Sequence, residues 1–257
     1  MITGEVEVVF SSGPLNMRTA VIVPLFNYAR YIEETLDSVA AQTDDDICLI
    51  VINDRSTDDS LEVAMKWMES ASLGRKSARL LSHVVNRGLS ITRNSGIAFS
   101  RSDYCFFLDS DNILYPRCVE KHVSALATNV HADAAYSLIE VFDARAGISG
   151  SNVFNRDRLK RGNYIDAMAM VRRDFLLRMD GYYPIKHGWE DFDLWLRMCE
   201  EQGLAIQIPE ILSRYRVHES SMLRTQTNLD RNMRELCDTM YARHPWLDLW
   251  AQPKQGN

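Results

Sequence analysis

Four short runs rich in apolar residues, 19–24, 47–52, 79–85 and 104–108, each end abruptly in polar residues. Apolar runs of that length read as strands buried on both faces, as in a parallel sheet. Between them the apolar positions recur at helical spacing. Ile32, Leu36, Val39 and Ala40 do so across 30–42, and Leu61, Ala64, Met65 and Met68 in the next interval. A third helix is expected from about 90 to 99. This alternation predicts a parallel sheet with right-handed crossovers and helices on both faces. Three strand ends, at Pro24, Asn53-Asp54 and Asp109-Asp111, then meet along one edge, where open α/β sheets bind ligands. Residues 1–18 read as a leader, with a short edge strand followed by a loop.

The second half is more mixed. The pattern predicts a helix over 116–127, a strand over 132–142, a strand over 164–171 and a short helix over 175–179. A helix with a strongly apolar side follows over 189–201, carrying Phe192, Leu194, Trp195, Leu196 and Met198. Two late strands, 205–208 and 211–217, precede a terminal helix over 230–243. Residues 143–162 lack periodicity and contain Arg156, Arg158, Lys160 and Arg161, so this stretch reads either as solvated surface or as an ordered lid. No repeat, low-complexity tract or linker interrupts the chain, and one domain over 1–257 is expected.

Composition narrows the class. The 257 residues are 46% hydrophobic and 25% charged, ordinary for a globular protein with a sizeable core. A formal net charge of -6 argues against general nucleic-acid binding. Cys48, Cys105, Cys118, Cys199 and Cys237 are scattered without metal-ligand spacing and read as reduced thiols of a cytoplasmic protein. No signal peptide or membrane span is evident, while peripheral contact at the inner face of a membrane is compatible with the sequence. Trp246, Leu247, Leu249 and Trp250 are compatible with contact to a membrane or a partner, and packing on the core is expected first.

The sharpest chemical signal is Asp109-Ser110-Asp111 at the end of the fourth strand. Two carboxylates so placed repel each other unless a cation is shared, and hard oxygen ligands suit Mg²⁺ or Mn²⁺ together with substrate phosphates. The plain alternative is a polar turn. Other nucleotide chemistries lack their motifs. No GxGxxG follows the first strand and no GxxxxGK[ST] occurs. The Gly- and Arg/Lys-rich phosphate loop of sugar nucleotidyltransferases is absent. An aspartate-nucleophile phosphatase would carry Asp-x-Asp on its first strand, not its fourth.

Six motifs in order give the chain a resemblance to the family 2 inverting glycosyltransferases with the GT-A fold. They are Ile22-Val23-Pro24-Leu25-Phe26-Asn27-Tyr28, Asn53-Asp54-Arg55-Ser56-Thr57-Asp58, Asn86-Arg87-Gly88 leading to Thr92-Arg93-Asn94, Leu108-Asp109-Ser110-Asp111, Gly188-Trp189-Glu190-Asp191, and Arg216-Val217-His218. The resemblance covers roughly residues 19–225. It implies a mostly parallel, Rossmann-like nucleotide-binding sheet flanked by helices over about 19–112. A mixed acceptor-binding and catalytic half over about 113–225 and a helical segment over 226–257 complete the expected chain.

By the same resemblance, a nucleotide-sugar donor, foremost a UDP-sugar, meets Pro24, Phe26, Asn27, Asp54, Asn86, Gly88, Arg93, Asp109, Ser110 and Asp111. Phe26 offers a stacking face and Asp54 an acceptor for a pyrimidine N–H. Asn53 stands where many relatives carry Asp. Asp111 is the metal-binding member of the pair and His218 an additional ligand, although a histidine at a strand end also reads as surface. Arg93 supports either the diphosphate or the Asp pair, or forms a structural ion pair. Ser56, Thr57, Asp54 and Asp58 are alternatively helix caps. Inversion needs a base on the acceptor side, for which Asp191 is the candidate and Glu190 its alternative. Trp189 offers a flat face for an acceptor sugar. The acceptor is expected to be a glycan or lipid-linked glycan of polysaccharide or cell-envelope biosynthesis. The competing reading is a non-catalytic nucleotide- or glycan-binding module that keeps the fold. Such a module would be expected to lose the base or the metal-binding acid, yet Asp111 and Asp191 are both present.

Overall fold

The computed structural model describes residues 1–219 and 221–249. Its centre is a ten-stranded sheet of β1 (Val6–Ser12), β2 (Thr19–Leu25), β3 (Ile47–Asn53), β4 (Ser77–His83), β5 (Tyr104–Phe107), β6 (Ile113–Leu114), β7 (Ala134–Asp143), β8 (Gly147–Ser149), β9 (Ala169–Arg172) and β10 (Ala205–Val217). Their order is β1-β4-β3-β2-β5-β9-β7-β10-β6, with β8 paired to β7. The parallel strands expected from the apolar runs are β2 (Thr19–Leu25), β3 (Ile47–Asn53), β4 (Ser77–His83) and β5 (Tyr104–Phe107). All four are buried along their whole length, which is why their sequences do not alternate. Helices α1 (Ile32–Ala40), α2 (Ser60–Ser70) and α3 (Leu89–Phe99) make the crossovers.

Period-two geometry then sorts the strand residues between two cores. Val21, Val23, Leu49, Val51 and Phe106 face α1, α2 and a later helix, α4 (Cys118–Thr128). Ala20, Ile22, Ile50, Ile52 and Phe107 face the opposite side. There they meet α3, α6 (Arg173–Arg178), α7 (Glu190–Glu200) and α8 (Asp230–Arg243). Each fully buried side chain of this size contributes about 1.5–3 kcal/mol. On α3, a Cβ at Gly96 would lie 2.6 Å from Ile22 Cγ2, so a glycine lets that helix settle on β2.

The leader supplies β1 (Val6–Ser12), an antiparallel edge strand on β4. Two later predictions change. The strand expected over 164–171 is confined to β9 (Ala169–Arg172), because residues 163–168 form turns around Asn163 and Asp166. The two late strands are one, β10 (Ala205–Val217), whose pairing shifts register on both sides of Ile211, beyond Pro209. The aperiodic stretch 143–162 is partly ordered as β8 (Gly147–Ser149), hairpinned onto β7 (Ala134–Asp143), and a short helix, α5 (Arg156–Leu159).

Direction is the feature that builds the site. β9 runs antiparallel to both β5 and β7, so β7 points the same way as β5, and β10 is parallel to β7. The carboxyl end of β10, reaching His218, therefore arrives at the same sheet edge as Asp109–Asp111. The two-residue strand β6 (Ile113–Leu114) pairs only with Ser213 and Arg214, leaving the first part of β10 paired on one side only among the described residues.

Cys48, Cys105 and Cys118 are buried and all five cysteines are free thiols. Leu247 is buried and Trp246 and Leu249 pack against the second core, as expected, whereas Trp250 lies outside the described residues. No helix among the described residues is long and apolar enough to cross a membrane.

Candidate active site

A cleft of about 800 Å³ opens along the carboxyl edge of the sheet. Pro24, Phe26 and Asn27 line it after β2, Asp54 after β3, Asn86 and Gly88 after β4, and Asp109, Ser110 and Asp111 after β5. Four strand ends thus converge as the topology requires. Phe26 is 42% exposed, a large apolar face presented to the opening. Ser110 donates its hydroxyl to the carbonyl of Pro24, joining the Asp pair to β2.

Asn27 organises the wall more than it faces the opening. Its backbone takes φ 61°, a left-handed conformation that asparagine tolerates. Its side-chain oxygen accepts from Thr57 N at 2.7 Å, and its own N–H donates to Ser56 Oγ at 3.1 Å. Asn53 forms the neighbouring turn, accepting from Ser56 N and donating to Ser82 Oγ. The helix-cap alternative resolves differently from expectation. The residue flanking α2 is Asp59, which makes no side-chain cap, while Asp58 accepts from the first helical N–H, Ser60, at 3.0 Å. Burial works against ionisation of Asp58, but Ser60 and the backbone N–H of Ala29 hold it below the usual carboxylate range.

Asp54 is 3% exposed and already bound by three donors or partners. Its Oδ1 meets His83 Nδ1 at 2.7 Å and Arg87 N at 2.8 Å, and its Oδ2 accepts from Gly88 N at 2.7 Å. Asn86 closes the loop by donating to the Asp54 carbonyl at 2.9 Å. Gly88 takes φ 86°, which favours glycine, at the residue flanking α3. The Asn86-Arg87-Gly88 turn is therefore folded around the Asp54 carboxylate. His83, which completes this arrangement from β4 and also meets Ser95 Oγ at 2.9 Å, escaped the sequence reading. Nothing but its place in a buried strand marked it.

The Asp pair divides its partners. Asp109 accepts from Arg93 Nη2 at 2.8 Å. Arg93 is 1% exposed, and its other nitrogen, Nη1, reaches Glu190 at 2.5 Å. Arg93 thus bridges two carboxylates, an arrangement common to two of the roles open to it, support of the Asp pair and a structural ion pair. That bridge also occupies Glu190, the alternative base. Asp111 lies against His218, with Oδ2 to Nε2 at 2.8 Å. Burial and then the charge of Asp109 push Asp111 up to about 6, with His218 pulling the other way.

His218 is 7% exposed and enclosed by Tyr28 and Tyr31, at ring distances of 5.9 and 4.8 Å, so it is no surface histidine. Arg216 fastens the same corner, donating to the Asp111 carbonyl at 2.9 Å and pairing with Glu34. No cluster of three or more His, Cys, Asp or Glu side chains suited to a metal is assembled among the described residues. Asp111 and His218 nevertheless fit a divalent cation whose remaining ligands come from a substrate. Their facing oxygen and nitrogen are the donor types Mn²⁺ accepts, and the buried acid gains by a neighbouring positive charge.

The residues expected to meet an acceptor sit at the first turn of α7. Gly188 and Trp189 precede it at φ 112° and 64°, a strained entry that turns Trp189 edge-on to Phe192 at 6.0 Å. Trp189 is half-buried, packs against the second core and is not among the residues lining the cleft. Asp191 remains partly exposed, accepting from Asn163 Nδ2 at 3.0 Å and from Phe192 N at 2.7 Å. Burial, then the charges of Glu190 and Asp166, push it up to about 8 against the pull of Arg93. Asn163 and Asp166 both come from the turn that displaced the expected strand. Asp166 is itself raised to about 6 by burial and Asp109. Neither residue carried a sequence signal, because only the fold brings 163–166 beside α7.

Comparison with known proteins agrees with this geometry. The model of the family described as glycosyl transferase family 2 matches residues 20–180. EpsE of Bacillus subtilis, named for a glycosyltransferase, is 27% identical over 218 residues, covering 82% of this chain and 75% of EpsE. Among solved structures, S. aureus TarS in complex with UDP-GlcNAc superposes with a TM-score of 0.67 at 18% identity. The match covers 81% of this chain and 61% of that one. A mannosyltransferase of Pyrobaculum calidifontis, in complex with GDP-Man and Mn²⁺, gives 0.63 at 19% identity, over 80% of this chain and 59% of that one. The chain thus spans about three fifths of either solved structure, and the likeness establishes the GT-A fold.

Proposed function

The chain belongs to glycosyl transferase family 2, and from that premise we propose a metal-dependent inverting transferase that moves a sugar from a UDP-sugar to a hydroxyl of a glycan or lipid-linked acceptor. One observation carries this reading: two differently tuned carboxylates, Asp111 beside His218 and the raised, partly exposed Asp191, flank the Arg93 bridge at one sheet edge. Residues 19–112 hold the donor, and residues 113–225 the acceptor. Phe26 stacks on the base. Asp54 Oδ2, bonded only to Gly88 N, keeps a lone pair for a single imide N–H, which matches uracil. TarS with UDP-GlcNAc supports a uridine donor, while the mannosyltransferase with GDP-Man supports the metal more than the base.

In the reaction, Asp191 accepts the acceptor's hydroxyl proton as its oxygen bonds to the anomeric carbon from the face opposite the diphosphate. The bond from that carbon to the phosphate oxygen breaks, and the configuration inverts. A divalent cation held by Asp111 and His218 would neutralise charge on the leaving diphosphate. Arg93 keeps Asp109 and Glu190 fixed on either side. A raised pKa suits Asp191 to take a proton near neutrality. The proposal extends to a cytoplasmic enzyme of polysaccharide or cell-envelope synthesis, in peripheral contact with a membrane that bears the acceptor.

Calorimetric titration of UDP, GDP, CMP and TDP, with and without Mn²⁺, tests the donor side. The expected result is UDP binding strengthened at least about 10-fold by Mn²⁺, a gain absent in Asp111→Ala. Preference for GDP would overturn the donor class. Metal dependence unchanged in Asp111→Ala would overturn the assignment of that residue.

A further inference from the structure

The C-terminal helix ends on the catalytic helix, outside the region that the family model matches. Arg243 and His244, at the end of α8, both reach Asp193 Oδ1, at 2.6 and 3.0 Å. Arg197, one turn along α7, holds the other oxygen, Oδ2, at 2.7 Å. The second ring nitrogen of His244, Nδ1, meets Glu200 Oε1 at 2.7 Å, and Trp246 Nε1 donates to that same oxygen at 2.6 Å. Asp193 is wholly buried and His244 is 1% exposed.

The ring geometry fixes a protonation state. A neutral imidazole carries one N–H, so with both nitrogens against carboxylate oxygens, one lone pair would face an anion. Only the imidazolium donates to both. Burial disfavours that charge, but Asp193 and Glu200 outweigh it and raise the His244 pKa above its ordinary value. The charged groups surrounding the ring are Asp193, Arg197 and Glu200 from α7 and Arg243 from α8. Arg156 of α5 stacks over Trp246 at 4.6 Å. Asp193 itself is held down to about 2, since burial is outweighed by His244, Arg243 and Arg197.

Asp193 is two residues from Asp191, and its N–H donates to the carbonyl of Trp189 at 3.0 Å, closing the first turn of α7. Arg197 extends the grip to the carbonyls of Met179 and Gly181, both at 2.6 Å. We propose that His244 is a positioning residue for the transfer reaction, clamping as an imidazolium across Asp193 and Glu200 the turn of α7 that presents Glu190 and Asp191. This rests on the reading of Asp191 as the base. The sign of its pH dependence follows from the geometry. A histidine raised by its partners stabilises the fold fully below the unfolded value of about 6.5. That contribution is lost as pH rises through its folded value. Unclamping is therefore an alkaline event, opposite in direction to the ionisation that activates Asp191.

The test uses the full chain and His244→Gln, with Glu200→Gln as a milder variant that removes one acceptor. The ring proton resonance of His244 is followed against pH by NMR, and a midpoint above about 6.5 is expected, falling in Glu200→Gln. A midpoint at or below that value overturns the clamp. Transfer kinetics then read the positioning role. In His244→Gln, kcat falls about 10-fold with the donor KM within about twofold, and the alkaline decline of the parent enzyme disappears. Unchanged kcat, or a decline that persists, overturns it. Amide exchange at Phe192 and Leu194 keeps the two readings apart. At least about 10-fold faster exchange in either variant supports the clamp even where no transfer is measurable, and unchanged exchange overturns it.

Discussion

The proposed nucleotide and acceptor sides of the site treat their acids in opposite ways. On the nucleotide side, Asp54 is held by His83 and two backbone N–H groups, Asp58 by Ser60 and Ala29, and Asp109 by Arg93. These loops spring from strands buried on both faces, and their donors arrive with the fold. On the proposed acceptor side, Asp191 has Glu190 and Asp166 as neighbours and, among the described residues, Asn163 and Phe192 as donors. A fully paired carboxylate binds and orients, whereas one set among like charges is ready to take a proton. Asp111 is the exception on the nucleotide side. Burial and Asp109 raise it where the second positive charge is proposed to bind.

The sharpest way to break that contrast is to remove the proton acceptor. Asp191→Asn is expected to lower kcat by about 10²–10⁴-fold while UDP affinity, measured by calorimetry, stays within about twofold. Next comes the residue that joins the two sides. Arg93→Met leaves Glu190 as an uncompensated buried charge beside a partly exposed Asp109, and urea denaturation should show a loss of about 3–5 kcal/mol.

The third prediction concerns pH. Protonated Asp191 cannot accept a proton, so kcat/KM should climb about tenfold per pH unit toward an apparent value of about 8 in the free enzyme. Asp166→Asn, by removing one like charge, should move that limb to lower pH. The smallest effect belongs to Phe26→Ala, which removes a half-exposed stacking face. It should cost about 1 kcal/mol of donor affinity with no change in melting temperature.

The legibility of the sequence follows the same division. The parallel half could be read because burial on both faces writes continuous apolar runs, and the residues after each run were then bound to meet. Asp54, Asp109 and Asp111 were found that way, and His218 by its motif. The acceptor side was harder because its geometry is made by turns. Asp166 lies in a stretch that reads as a strand and Asn163 just before it, while the left-handed backbone of Trp189 sets its ring edge-on to Phe192. His83 and His244 act through partners at 29 and 51 residues' separation, a relation no local pattern records.

The margins of the sheet are surfaces on which a neighbouring molecule could pair. β10 is paired on one side only over its first part, and such a strand is a template for cross-molecular pairing. Pro209 removes a donor from that margin, and the register shifts flanking Ile211 interrupt its pleat. At the opposite end β1 carries Glu7 beside exposed Val8, placing a charge near the start of the strand. Proline and register shifts at one margin and a charged side chain at the other both hinder the pairing of this wide sheet with another chain.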